Sequence, residues 1–167
     1  MFKTIRLAAV AIFLTVGVAG SVFARPSADE AAIRALHTQY AAALKAKDVD
    51  AIMRIYAPDV LAYDVAPPRE HAGAAAYRKD WEAFMSGFKG APKFEVSDLF
   101  VETSGALGWS HSILHVTGTD PAGKPNDITV RVTDIYRKTA NGWRIVHEHA
   151  SVPFDFASGK PDLQSKP

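Results

Sequence analysis

Asp134 lies among apolar and β-branched residues in Ile128-Thr-Val-Arg-Val-Thr-Asp-Ile-Tyr136, and His147 and His149 follow in Gly142-Trp-Arg-Ile-Val-His-Glu-His149. Read as strands, these runs put Val130, Val132, Asp134 and Tyr136 on one face and Ile145, His147, His149 and Ser151 on another, because successive side chains alternate. A buried acid on such a face must be paired or protonated. The two histidines project the same way, roughly 7 Å apart. On the preceding run Trp109, His111, Ile113, His115 and Thr117 share a face. Four imidazoles in one cavity would permit acid–base catalysis or metal binding. Their spacing matches no recognised ligand interval, so neither a metal nor a cofactor is expected.

Two further groups come from earlier in the chain. Tyr40 falls on the apolar stripe Ile33, Leu36, Tyr40, Leu44, so it points inward and its hydroxyl needs a partner. Asp64 is undecided: Leu61, Tyr63 and Val65 form one face of its strand, and Val60, Ala62 and Asp64 the other. A solvated turn residue and a site residue are both open for Asp64, as are a core role and a site role for Tyr40. Trp81, Phe84, Trp109 and Tyr136 read as core or pocket wall. His37 and His71 read as surface residues, with His71 also placed to cap a pocket mouth.

The elements that must position these groups carry their own signals. Ser27-Ala-Asp-Glu30 is a capping box opening a helix to about Ala46. Asp48 caps a shorter helix through Tyr56 that Pro58 ends. Asp59 to Val65 is a strand, stopped by Ala66-Pro67-Pro68. A third helix runs from about Ala74 to Phe88 with Tyr77, Trp81, Phe84 and Phe88 as an aromatic stripe. The period then changes to two, giving strands at Phe94–Glu102, Ala106–Thr117, Ile128–Lys138 and Trp143–Val152, the last pair joined at Asn141-Gly142. This order predicts an α+β fold in which a strongly curved antiparallel sheet and three helices enclose a pocket.

Composition narrows the classes. The 167 residues contain no cysteine and carry a formal charge of +1, so thiolate chemistry is excluded. Lys3 and Arg6 precede an apolar run from Leu7 to Ala24 that ends Val22-Phe23-Ala24. This is expected to be an export signal cut after Ala24, placing the protein in the periplasm or outside the cell. Removing it leaves a charge of about −1, which suggests neither nucleic acid nor membrane as a partner. Residues 25–153 then form one domain, and 154–167 a flexible tail.

The element order, together with Gly142-Trp-Arg-Ile-Val-His-Glu-His149, resembles the NTF2-like superfamily, in its SnoaL-like and ketosteroid-isomerase-like branch. The resemblance implies a cone-shaped (cystatin-like) α+β roll and, through the outer sheet face carrying Arg131 and Glu148, a homodimer. It also implies roles: Tyr40 as oxyanion donor, Asp64 as the carboxylate that moves the proton, and Asp134 as a second, protonated donor. The expected function is proton transfer, isomerase or lyase in type, on a small, partly apolar carbonyl compound. Catalysis is expected of Tyr40, Asp64, Asp134 and His147, and substrate contact of Trp81, Phe84, Trp109, His111, His115, Tyr136 and His149. The alternative is a non-catalytic domain that binds a small molecule in the same pocket.

Overall fold

The computed structural model describes residues 26–165, so the expected signal peptide lies outside the described residues. Helix α1, Ala28–Ala46, begins on the capping box: the Glu30 amide donates to Ser27 Oγ at 3.1 Å and the Ser27 amide to Glu30 Oε2 at 2.9 Å. Asp48 caps α2, Val49–Met53, by accepting from the Ala51 amide at 2.9 Å. Tyr56 was expected to close this helix. It opens strand β1, Tyr56–Tyr63, because the chain is already tied to the last strand, the Ile145 amide donating to the Ile55 carbonyl at 3.0 Å.

A two-residue strand β2, His71–Ala72, and helix α3, Ala74–Ser86, follow. Then come β3, Lys93–Ser104; β4, Leu107–Thr119; β5, Pro125–Thr139; and β6, Gly142–Ser151. The six strands lie in the order β2-β1-β6-β5-β4-β3, antiparallel except for the parallel pair β1 and β6. This open sheet, packed against α1 and α3, is the α+β architecture expected. Its main core gathers Ile33, Leu44, Ile52, Val60, Trp143 and Ile145; a second cluster holds Phe88, Leu114, Val116 and Val130. Where a loose tail was expected, Phe154–Asp155 (β7) pairs with Lys160–Pro161 (β8), and the Thr129 amide donates to the Leu163 carbonyl at 2.7 Å.

Two strands present faces opposite to those expected. On β4, Trp109, His111 and His115 lie on the outer side, and Gly108, Ser110, Ser112 and Leu114 face inward. Register decides this, since these four stand opposite Tyr136, Asp134, Val132 and Val130 of β5, and directly opposed residues share a face. Small residues are needed there: a Cβ on Gly108 would stand 2.7 Å from Ile33 Cδ1. On β6, Tyr136 pairs with Ile145 but Ile135 pairs with His147, so Val146 is an extra residue in a β-bulge. The bulge reverses the alternation. Trp143 and Ile145 point inward before it and Glu148 after it, leaving His147 and His149 outside.

Gly118, farther along β4, packs as closely: a Cβ there would lie 2.6 Å from Phe88 Cδ1 and 3.4 Å from Pro92 Cβ. Gly118→Ala is expected to cost about 1–3 kcal/mol of stability in a urea titration, because a buried ring must move.

Candidate active site

A cavity of about 560 Å³ lies between α1, α3 and the inner sheet face. Much of its wall is apolar, formed by Phe84, Phe88, Leu114, Val116, Ile128 and Val130. Its polar groups include Tyr40 of α1, Asp64 after β1, Tyr77 of α3, Asp134 of β5 and Glu148 of β6, with His37, Asp80 and Asn126 also in the lining. Asp64 continues the inward face of Val60 and Ala62, which settles its pleat.

Glu148 is 5 % exposed. Tyr56 Oη donates to its Oε2 at 2.6 Å, and Tyr77 Oη meets its Oε1. Tyr77 Oη also lies 3.3 Å from Asp64 Oδ2. Asp134 is 3 % exposed, and its Oδ2 accepts from Ser110 Oγ at 3.2 Å and Tyr136 Oη at 3.0 Å. Among the described residues no N–H or hydroxyl donates to Asp134 Oδ1. Tyr136 Oη in turn lies 2.9 Å from His37 Nε2, and the Tyr40 ring packs edge-on against Trp81.

Burial dominates the electrostatics. Desolvation, and then the charge of Asp134, pushes Glu148 up to about 8 despite its two phenol donors. Desolvation likewise raises Asp134 to about 6, against the hydrogen bonds from Tyr136 and Ser110 that favour its charged form. At least one of these facing carboxyls therefore holds a proton at neutral pH. Burial also raises the phenols of Tyr40, Tyr56 and Tyr77 well above the ordinary tyrosine range, so all three remain donors. His37, desolvated and near Arg34, is lowered to about 4 and is neutral.

Tyr40, Asp64 and Asp134 thus line one cavity, with Trp81, Phe84 and Tyr136 in its wall. The indole Nε1 of Trp81 is buried with no hydrogen-bond partner among the described residues. His147 is elsewhere, its Nδ1 2.8 Å from the Leu61 carbonyl, and with His149 it packs against the outer-face ring of Tyr63. Trp109 and His111 pack against Phe100, while His115 Nε2 lies 2.8 Å from Asp127. These five are corrected from pocket to outer face. His37 lines the cavity, and His71 is 5 % exposed beside Tyr77, so neither is the surface residue expected. Glu148 and Tyr77 were missed as site residues. No sequence signal pointed to Glu148: the register set by Asn141-Gly142 would place His147 opposite Asp134, and only the bulge at Val146 brings Glu148 there. Among the described residues no group of three or more His, Asp or Glu is arranged to hold a metal ion.

The architecture defines an NTF2-like protein. An NTF2-like protein of unknown function from Pseudomonas putida KT2440 superposes with a TM-score of 0.77 at 30% identity, over 85% of this chain and 99% of that one. A ketosteroid isomerase-like protein from Erwinia carotovora atroseptica SCRI1043 gives 0.64 at 20% identity, over 75% and 96%. An NTF2-like superfamily protein from Salmonella enterica serovar Typhimurium LT2 gives 0.68 at 18%, over 78% and 95%. The last two likenesses concern fold alone. The chain belongs to the SnoaL-like domain family, whose model matches residues 33–155. A search of curated proteins finds no match.

Proposed function

We propose that this SnoaL-like protein is an acid–base enzyme, isomerase or lyase in type, acting on a small, partly apolar carbonyl compound. The observation carrying this reading is the convergence of Tyr40, Asp64 and Asp134 on one largely apolar cavity. Asp64 takes a proton from the carbon beside the carbonyl, and Tyr40 and Asp134, in the protonated form that burial favours below about pH 6, donate to the enolate oxygen that develops. A dry wall strengthens both hydrogen bonds. Among the described residues no lysine or arginine lines the cavity, so the oxyanion is held by neutral donors. The test is hydrogen exchange at the α-carbon of benzylacetone in deuterated buffer, followed by proton NMR. Exchange faster than buffer supports the reading. Saturable binding of the ketone with exchange at the buffer rate would favour the non-catalytic binding domain.

The protein is further proposed to be exported, with Ala24 the last residue removed. N-terminal sequencing of the secreted product checks this. The outer sheet face, where Phe100, Trp109 and Ile135 are each about 40 % exposed, is proposed to meet a second copy of the chain, as the resemblance implies. Trp109→Glu is then expected to convert a dimer to a monomer in light scattering, since a charge there would be buried without a partner.

A further inference from the structure

A single hydrogen atom stands between two carboxyls. Tyr77 Oη is within hydrogen-bond distance of both Asp64 Oδ2 and Glu148 Oε1, yet a phenol can donate only once. Whichever carboxyl does not receive that hydrogen must bring its own proton and donate to the Tyr77 oxygen. Two states satisfy the geometry. In one, Glu148 is protonated and donates to Tyr77, which donates to Asp64. In the other, Asp64 is protonated and Tyr77 donates to Glu148. Reversing the Tyr77 hydroxyl converts one state to the other and moves one proton from Asp64 to Glu148.

The line does not stop at Glu148. Its carboxyl faces that of Asp134, its register partner on β5, both side chains being buried on the inner side of the sheet. Asp134 Oδ2 is already satisfied by Ser110 and Tyr136. Its Oδ1, to which no N–H or hydroxyl among the described residues donates, is left to exchange a proton with Glu148 or with a molecule in the cavity. Asp64, Tyr77, Glu148 and Asp134 therefore form a continuous path joining the proposed base to the proposed acid.

An isomerase in which Asp64 takes a proton and returns it to the same substrate has no use for such a path. An enzyme that takes a proton at Asp64 and gives one up at Asp134 needs it every cycle. We propose that the site eliminates water from β-hydroxy carbonyl compounds, and that Tyr77 and Glu148 carry the proton from Asp64 back to Asp134 between turnovers. This rests on the acid–base reading above and narrows it to the lyase. The forward step starts with Glu148 and Asp134 both protonated, the state favoured below about pH 6. Asp64 removes the α-hydrogen, and the electron pair of the broken carbon–hydrogen bond forms the new carbon–carbon double bond. The β-carbon–oxygen bond breaks, and the leaving hydroxide takes the Asp134 proton and departs as water, Tyr40 alone holding the carbonyl oxygen in this step. Protonated Asp64 and ionised Asp134 remain. Shifts along Asp64 to Tyr77, Tyr77 to Glu148 and Glu148 to Asp134 restore the start, with no outside donor.

The probe is the racemic aldol of benzaldehyde with acetone, whose dehydration product, benzylideneacetone, is followed by its absorbance. Wild-type protein is expected to form it over many turnovers. In Tyr77→Phe, which keeps the buried ring and removes the bridging hydroxyl, the first turnover with protein in excess is expected to slow far less than later ones. The ratio of the two rates changes by about tenfold or more. Glu148→Gln, which cuts the same path from its other side, is expected to change that ratio in the same direction. Steady-state rates in mixed light and heavy water should give a curved proton inventory in the wild type, as several protons move together.

Equal slowing of first and later turnovers in both variants would show that Tyr77 and Glu148 only support the fold, and would overturn the path. A wild type that exchanges the α-hydrogens of benzylacetone without dehydrating the aldol overturns the lyase inference and leaves the acid–base reading standing. If it does neither, both fall.

Discussion

Thermal stability is expected to fall as pH rises from about 5 to about 8, and Glu148→Gln is expected to remove most of that fall. Folding desolvates the Glu148 carboxyl and moves it from 4.5 to about 8. The folded state therefore binds more protons than the unfolded chain between these values. Because the folded pKa is the higher one, this contribution is fully present below the unfolded pKa and is lost as pH climbs through the folded one. Asp134, raised by the same burial, acts with the same sign. The size is on the order of a few kcal/mol, equivalent to roughly 5 °C or more in Tm for a domain of this size. Glutamine keeps the shape, accepts from one tyrosine and donates to the other, and has no charge to desolvate. Calorimetric scans of both proteins across this range check it. Parallel pH profiles would mean that Glu148 ionises in the folded protein as readily as in water.

Asp64→Asn is expected to lower α-hydrogen exchange of benzylacetone by about 10²–10⁴-fold, the usual contribution of a positioned general base. An amide cannot accept the proton, while the cavity and both oxyanion donors remain. The fold has little reason to respond: Asp64 is half-buried, its Oδ1 accepts from the neighbouring Val65 amide at 2.6 Å, a bond that asparagine reproduces, and its Oδ2 lies 3.3 Å from Tyr77 Oη, to which the asparagine amide can donate instead. Loss of exchange with an unchanged Tm separates chemistry from structure. Exchange within threefold of wild type would remove Asp64 from the mechanism and leave another carboxyl, first Glu148, to account for it.

Much of the scaffold was legible because its signals are local. Ser27 and Glu30 satisfy each other's amides within one turn of chain, Asn141-Gly142 marks the last hairpin, and the Tyr77–Trp81–Phe84–Phe88 stripe has the helical period. Asp134 and Tyr136 were placed correctly because β5 keeps a regular pleat beside β4 throughout its length. Asp64 could not be placed by pattern, since its strand is apolar on both faces.

The histidines failed for a different reason. On β4 the inner face is the small, polar one, Gly108, Ser110 and Ser112, because bulky Tyr136 and Ile33 need the room. The outer face carries Trp109 and His111. Polarity is inverted relative to burial, so alternation alone points the wrong way.

The sequence by itself determined the order of elements, the helix start at Ser27, the turns, and the presence of acids and phenols on the elements that meet. Tertiary structure alone decided which of them share a cavity. One extra residue at Val146 turns β6 over, exchanging His147 and His149 for Glu148, because a strand's side chains alternate with a period of two and any inserted residue reverses every position beyond it.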